Sequence, residues 1–473
     1  MIRVFVYIGL LSLFSFQAPS NKMVDEKKPP NIVLIFIDDM GWGDVSFNNS
    51  AVDYTPNFLW LANNGVQLNN FYVSQSVCTA SRASILTGCY TNRVGLSGAM
   101  DHKSKVGLNP DEATIADMLK ANGYHTAAYG KWHLGYQQQF LPTSQGFDEY
   151  FGIPYSNDMW PYHPESPNYY PPLPLYENEK VIDTITDQSW LTTTLTDKAT
   201  HFIEQNKNEP FFLYLAHPMP HVPIYVSEEG KDKTGKGLYA DVIHEIDWSV
   251  GEVLKTLREN NLEENTLVIV TSDNGPWLSY GNHAGSTAGL REGKGTSWEG
   301  GVREPCVMYW KGKLPAGKVF DQPAMTIDIL PTIWAVTGSL LHEKKIDGIN
   351  IWPYLTGKKK GLNERPLFFY YNKNDLEAMR WKNWKLYFPH TYRTMEGQPQ
   401  GKDGKPGKYK YIKMEKPELY DLSKDPFEKN DIASSHRTIM SKMQKMAEGI
   451  RDQLGDDLTG KKGTENRLPG RIE

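Results

Sequence analysis

Short, wholly apolar runs recur along most of the chain, and each stops abruptly on residues that carry charge or an amide. Asn31–Ile37 runs into Asp38-Asp39, residues 211–216 into His217, and residues 266–270 into Thr271-Ser272-Asp273-Asn274. A run without polar alternation predicts a strand buried on both faces, as in a parallel sheet. Residues 124–130 predict another strand, delivering Lys131-Trp132-His133 at its end, and residues 303–310 one more. Between them the apolar spacing turns helical. Thr55-Pro56 opens a helix through Asn64, with Thr as N-cap, Pro in the first turn and Gly65 past the end. Residues 111–122, 187–206 and 239–260 predict three more helices, the last with Val242, Ile246, Val250, Val253, Leu254 and Leu257 on one face. This alternation predicts an α/β fold: a large, mixed, mostly parallel sheet sandwiched by helices.

The pattern changes near Arg365. Residues 367–371, 378–381, 385–388 and 418–422 read as short strands with turns between them, followed by a helix over 435–454. That predicts a smaller C-terminal antiparallel sheet plus helix. Residues 154–176 are crowded with Pro, Tyr and Trp and read as a long ordered loop roofing a site. The expected organisation is a leader over 1–20, a linker over 21–30, a catalytic domain over 31–365, a subdomain over 366–455 and a polar, mobile tail over 456–473. No internal repeat is evident.

Composition narrows the class. A net charge of -5 over 473 residues supplies no dominant basic field and argues against a nucleic-acid partner. The aromatic content of 12% suits sugar-facing pockets, though large cores have it too. Three cysteines cannot form a disulfide scaffold. Met1-Ile2-Arg3, the apolar run from Val4 to Phe16, and Ala18-Pro19-Ser20 read as a secretory signal peptide, too short to span a bilayer. An uncleaved anchor is the weaker reading, and no Cys follows the run to carry lipid, so no stable membrane anchor is expected. The expected location is periplasmic or secreted, in a bacterium.

The candidate chemistry centres on Cys78-Thr-Ala-Ser-Arg82-Ala-Ser-Ile-Leu-Thr-Gly88. Locally it is a loop entering a helix, with the thiol at the positive end beside Arg82 and Gly88 at the helix end. A buried structural cysteine fits the segment as well. Four strand ends add Asp38, Asp39, Lys131, His133, His217, His221, Asp273 and Asn274, and a glycine-rich loop brings Lys294. Seen alone, the Asp pair reads equally as a solvated turn, the Asp-Asn-Gly as a turn, Lys131-x-His133 as a surface Lys beside a partly buried His, and one of the two histidines of the His217–His221 loop as structural. Together, carboxylates and an amide oxygen suit a hard cation, Ca²⁺ or Mg²⁺, better than zinc. With Arg82, Lys131 and Lys294 they describe a site for an ester of sulfate or phosphate.

The cysteine segment resembles the sulfatase motif Cys-x-Pro/Ala-x-Arg with its Leu-Thr-Gly ending, and the resemblance extends from Asn31 to about Ala433. His221-Val-Pro and Gly293-Lys-Gly-Thr-Ser-Trp-Glu-Gly-Gly-Val-Arg-Glu-Pro305 are similar to the arylsulfatase A and galactosamine-6-sulfatase branch, and Glu418 to Asn430 to its terminal domain. The resemblance implies oxidation of Cys78 to formylglycine, and Ca²⁺, ahead of Mg²⁺, held by Asp38, Asp39, Asp273, Asn274 and the residue-78 diol. Arg82, Lys131, His133, His221 and Lys294 then line the sulfate pocket. One diol oxygen attacks sulfur, His221 or Lys294 protonates the departing alcohol, and His133 takes the proton that lets the aldehyde reform. Ala80, where many members carry Pro, resembles substrates of the anaerobic radical-type maturation enzyme. The expected substrate is a sulfated carbohydrate cut from a chain end, with Asp101, His102, Trp160, His163, Trp277 and His283 as candidate contacts. A phosphodiesterase or phosphonate hydrolase of the same fold is the first rival, and a non-catalytic sulfated-glycan-binding protein the second.

Overall fold

Asn31–Ile37 lies at the centre of a ten-stranded sheet, and every residue of it is buried. Its alternate side chains enter two different cores. Val33, Ile35 and Ile37 pack on one face, and Ile32, Leu34 and Phe36 on the other. That double burial is why the run carries no polar position, and each such side chain contributes roughly 1.5–3 kcal/mol relative to exposure. The computed structural model describes residues 1–2, 28–339, 343–362 and 364–472. The leader expected over residues 1–20 falls almost wholly outside the described residues, as does most of the linker.

Across the sheet the strands run Lys318–Phe320, Val66–Leu68, Cys306–Tyr309, Thr266–Ser272, Asn31–Ile37, Phe211–His217, His125–Lys131, Glu149–Ile153, Leu173–Glu177 and Lys180–Ile185. The central strand is parallel to both neighbours, with Ile37 opposite Ser272 on one side and His217 on the other. His125–Lys131 continues the parallel set, while Cys306–Tyr309 and Leu173–Glu177 run antiparallel to their neighbours. The sheet is therefore mixed and mostly parallel at its middle, as expected. Helices Pro56–Asn64, Leu191–Gln205 and Leu238–Glu259 cover one face, and Cys78–Thr87, Ile115–Lys120 and Ile329–Thr337 the other.

The C-terminal region forms an antiparallel sheet of Leu367–Tyr371, Asp375–Trp381, Trp384–Tyr387 and Glu418–Asp421. Helix Arg437–Leu454 packs on it through Met443, Ala447, Ile450 and Leu454.

Several elements differ from expectation, each for a local reason. The strand expected over 303–310 is two, Arg303–Glu304 and Cys306–Tyr309, in different sheets. Pro305 between them has no N–H to continue a ladder. The helix expected over 111–122 is only Ile115–Lys120, because Thr114 caps it, accepting from the Asp117 N–H. The loop expected over 154–176 becomes regular at Leu173–Glu177, which forms a hairpin with the edge strand Lys180–Ile185. Pro174 lies beyond the two residues that pair with Glu149–Ile153, so its missing N–H breaks no ladder on that side. The tail was expected to be mobile. Instead Gly470–Arg471 pairs with Val106–Gly107, and the Arg467 guanidinium donates to both carboxylate oxygens of Glu112.

Candidate active site

The site forms because the ladder continues past the strand ends. The Asp38 N–H donates to the His217 carbonyl, and the Asp273 N–H to the Ile37 carbonyl. Asp39 turns out of the sheet at φ +63°, its N–H donating to Asp273 Oδ1 at 3.1 Å. A non-glycine residue in that region is uncommon and belongs to segments that the surroundings hold in place. Three carboxylates from two adjacent strands thus emerge together, fully buried.

The cysteine helix approaches them end-on. Cys78 is its first residue, and Gly88 ends it at φ +68°. Cys78 Sγ lies 3.6 Å from Asp38 Oδ1 and 3.5 Å from Lys294 Nζ. Arg82, one turn on and so on the same face, donates from Nη2 to Asp273 Oδ2 at 2.8 Å and lies 3.5 Å from Asp38 Oδ1. Lys131 reaches Asp38 Oδ2 at 2.5 Å and Ser156 Oγ at 3.0 Å. Lys294 holds both oxygens of Asp39, at 2.7 and 3.0 Å. Three buried cations thereby face three buried carboxylates.

Burial raises Asp38, but Lys131, His221, Arg82 and Lys294 together outweigh it and hold the carboxyl well below the usual range. Asp273 is raised, by burial and by the charge of Asp38. Burial pushes the Cys78 thiol up to about 12, so as an unmodified side chain it stays protonated and is a poor nucleophile.

Each site histidine is oriented by a backbone carbonyl, which assigns its tautomer. His133 Nε2 lies 2.7 Å from the Met100 carbonyl and donates to it, so Nδ1 is bare, buried and without a partner. Its backbone is left-handed, φ +61°, so the extended geometry expected of the Lys131-x-His133 pair ends at the strand. His221 donates from Nδ1 to the Val222 carbonyl at 2.7 Å and presents Nε2, 3.8 Å from Asp39 Oδ2. His217 turns away to Ser249 Oγ, 3.0 Å from its Nε2, and is the structural one of the pair.

The donor set fits a divalent cation. Asp38, Cys78 and Asp273 offer ligand atoms within 4.8 Å of one another, as do Asp39, Cys78 and His221. Asn274 donates its Nδ2 to Asp39 Oδ1, leaving its buried Oδ1 with no hydrogen-bond partner. An orphaned amide oxygen beside three carboxylates is the arrangement a hard ion completes.

Of the expected sugar contacts, Trp277 touches the cluster, its ring 5.6 Å from that of His221 and 4.7 Å from Lys294 Nζ. His163 lies 3.5 Å from Asp158 Oδ2, and its ring meets Tyr170, which in turn meets His102. Asp101 turns its carboxylate to the Lys103 N–H. Trp160 is buried between Tyr162 and Tyr225 as part of the wall. His283 lies farther out, against Gly404 of the C-terminal region.

Ser156, Asp158 and Arg393 escaped sequence reasoning. Asp158 is buried, and His221 and Lys131 are among the charges that hold its carboxyl low against that burial. Arg393 donates to the Lys294 carbonyl at 3.1 Å across 99 residues. Ser156 and Asp158 sit in an irregular segment without periodicity, and nothing in the spacing could have indicated Arg393.

Comparison with known proteins agrees with this geometry. The sulfatase family model matches residues 30–339, and the C-terminal region of aryl-sulfatase matches residues 363–465. Human arylsulfatase A is 36% identical over 426 residues, covering 85% of this chain and 83% of its own. Canine N-acetylgalactosamine-6-sulfatase is 34% identical over 447 residues, covering 89% and 84%. The crystal structure of Ps i-CgsB in complex with k-i-k-neocarrahexaose superposes with a TM-score of 0.76 at 28% identity, covering 94% of this chain and 95% of that one. With both regions matched in order and the buried carboxylate, cysteine and lysine cluster between the strand ends, the chain belongs to the sulfatase family and is a sulfuric ester hydrolase.

Proposed function

We propose that this sulfatase is exported, removes sulfate from a carbohydrate, and works through a formylglycine made from Cys78 beside a calcium ion held by Asp38, Asp39, Asp273 and Asn274. The observation that carries the reading is the gathering of Asp38, Asp39 and Asp273 around Cys78, with Asn274 bonded to Asp39 and its amide oxygen buried and unpartnered. The carbohydrate is supported by two relatives, one named for N-acetylgalactosamine 6-sulfate chemistry and one crystallised with a neocarrahexaose. Tyr170 meets both His102 and His163, and Trp277 meets His221, aromatic surface that suits a sugar ring. Export is supported by the leader pattern, and no helix among the described residues is long and apolar enough to cross a membrane. Ala80 points to the anaerobic radical-type enzyme for maturation.

When bound, the ion polarises a sulfate oxygen and favours the ionised form of a nearby hydroxyl. A hydrated aldehyde at position 78 would supply an oxygen for attack on sulfur and a second hydroxyl for the release of sulfate. The chain's own groups do the rest. Arg82 and Lys131 neutralise Asp38 and Asp273, so that the cluster with a divalent ion carries net positive charge and attracts a sulfate. Lys294 Nζ, 3.5 Å from the position-78 side chain, and His221 stand where a proton can pass to the departing alcohol. His133 Nδ1, bare and fixed by its bond to Met100, takes a proton from the second hydroxyl.

The test is expression with and without a maturation enzyme. Matured protein should have a mass lower by the difference between CH₂SH and CHO at position 78. It should release sulfate from 4-nitrophenyl sulfate and from sulfated oligosaccharides, and lose activity to a chelator with recovery on adding Ca²⁺. Faster turnover of 4-nitrophenyl phosphate than of the sulfate would overturn the reading.

A further inference from the structure

The chain is acidic overall, yet residues 402–416 carry six lysines against Asp403 and Glu415. This segment contains the second strand of a hairpin, Thr391–Thr394 with Lys410–Lys413, and the loop leading into it. All six lysines are exposed. Lys405, Lys408, Lys410 and Lys416 have no carboxylate partner among the described residues, while Lys402 lies 3.9 Å from Asp403 and Lys413 2.9 Å from Glu415, both exposed pairs. Like charges gathered without counter-charges repel one another, so the arrangement disfavours the isolated fold and favours an anionic ligand.

The hairpin is fixed to the wall of the active site. Gly401 and Gly407 both donate to the Ser279 carbonyl, and the Ser279 N–H donates to Tyr409 Oη. Asn282 and Asp403 exchange two hydrogen bonds, at 2.8 and 2.9 Å. Ser279 is two residues from Trp277, which touches His221 and Lys294. On the hairpin itself, Arg393 lies directly opposite Tyr411 and donates to the Lys294 carbonyl. Opposed residues share a face, so Tyr411, 72% exposed, stands on the same face as the arginine that braces the catalytic loop. An open aromatic ring on a hairpin that also carries exposed ammonium groups without carboxylate partners matches a sulfated sugar: the ring takes a C–H face and the lysines take sulfate oxygens.

We infer that this hairpin is an extended subsite that grips sulfate groups on sugar units beyond the one being cleaved, and that the substrate is a multiply sulfated oligosaccharide rather than a singly sulfated sugar. The inference rests on the sulfate-ester reading above and narrows its substrate class.

The test compares matured wild type with Lys405→Glu/Lys408→Glu/Lys410→Glu and with Tyr411→Ala, all at exposed positions. With a heparin hexasaccharide as multiply sulfated probe at low salt, the triple variant should lose about 10-fold or more in kcat/KM, mainly through KM. On 4-nitrophenyl sulfate it should stay within about 2-fold of wild type. The wild-type preference should shrink as salt rises toward 1 M, where screening acts over about 3 Å. Independently of turnover, the Cys78→Ala protein should be retained on immobilised heparin, and its triple-lysine derivative should elute at markedly lower salt. Equal losses on both substrates, no loss on either, or tighter retention on DNA or anionic vesicles than on heparin would each overturn the subsite. If wild type hydrolyses 4-nitrophenyl sulfate but binds no multiply sulfated glycan, the subsite falls and the sulfatase reading stands. If matured wild type hydrolyses no sulfate ester, that reading falls, and retention alone decides the subsite.

Discussion

Among the buried charge networks of the described residues, one at the strand ends contrasts with one between the main sheet region and the C-terminal sheet. In the second, Lys385 Nζ lies 2.8 Å from Glu299 Oε1 and 3.4 Å from Glu428 Oε1. Tyr72 donates to Glu299 Oε2, Tyr387 to Glu428 Oε1, and the Glu299 N–H to Glu428 Oε2. Every carboxylate oxygen there has a partner within the chain. The first network is as deeply buried and as rich in ion pairs, but it leaves Asn274 Oδ1, His133 Nδ1 and Arg82 Nε unpartnered. Burying polar atoms without partners costs stability, so a closed network serves packing while an open one is shaped for something that arrives later.

That contrast can be broken by mutation. The largest effect belongs to the open network: Cys78→Ala should lower the rate on 4-nitrophenyl sulfate by about 10³-fold or more while the thermal unfolding midpoint holds or rises. In the closed network, Lys385→Met strands two buried glutamates and should cost about 3–5 kcal/mol in denaturant unfolding. A folded, fully stable Lys385→Met protein would end the distinction.

Calcium sharpens the comparison further. At about 100 times its Kd it should stabilise the wild type by about 3 kcal/mol, read as a shift in the unfolding midpoint. Asn274→Ala should need about 10–100-fold more calcium for the same shift, whereas a Lys385 variant should respond like wild type. A midpoint indifferent to calcium would leave the open network without its ion.

The smallest effect concerns pH. Glu377, beside the closed network's region, is buried, accepts from Ser297 Oγ, and is pushed up from 4.5 to about 8. It is protonated in the fold and ionised in the unfolded chain between those values, so unfolding releases a proton there and stability falls as pH rises through that window. Glu377→Gln should flatten the slope, seen as unfolding midpoints measured from pH 5 to 8.

Much of this architecture was legible in the chain. The run Asn31–Ile37 could only be a doubly buried strand, and placing Asp38 and Asp39 at its end followed from the rule that parallel strands carry function at their carboxyl ends. Cys78 and Arg82 at helical spacing, and Gly88 at the helix end, were equally readable. The hairpin Leu173–Glu177 with Lys180–Ile185 was hidden by prolines, and the docking of the tail by its polar composition. Asp158 was illegible because it lies in an irregular segment, and Arg393 because its four-residue strand is too short to show a period; each acts on residues brought near only by folding.

By itself the sequence determined which elements form, since apolar period and capping act over a few residues, and which residue types gather at the strand ends. Which of His217 and His221 faces the cluster, which nitrogen of His133 is bare, and that Asn274 keeps an oxygen free were decided only in three dimensions. Those choices depend on hydrogen bonds to Ser249, Met100 and Asp39, partners that chain order does not place nearby.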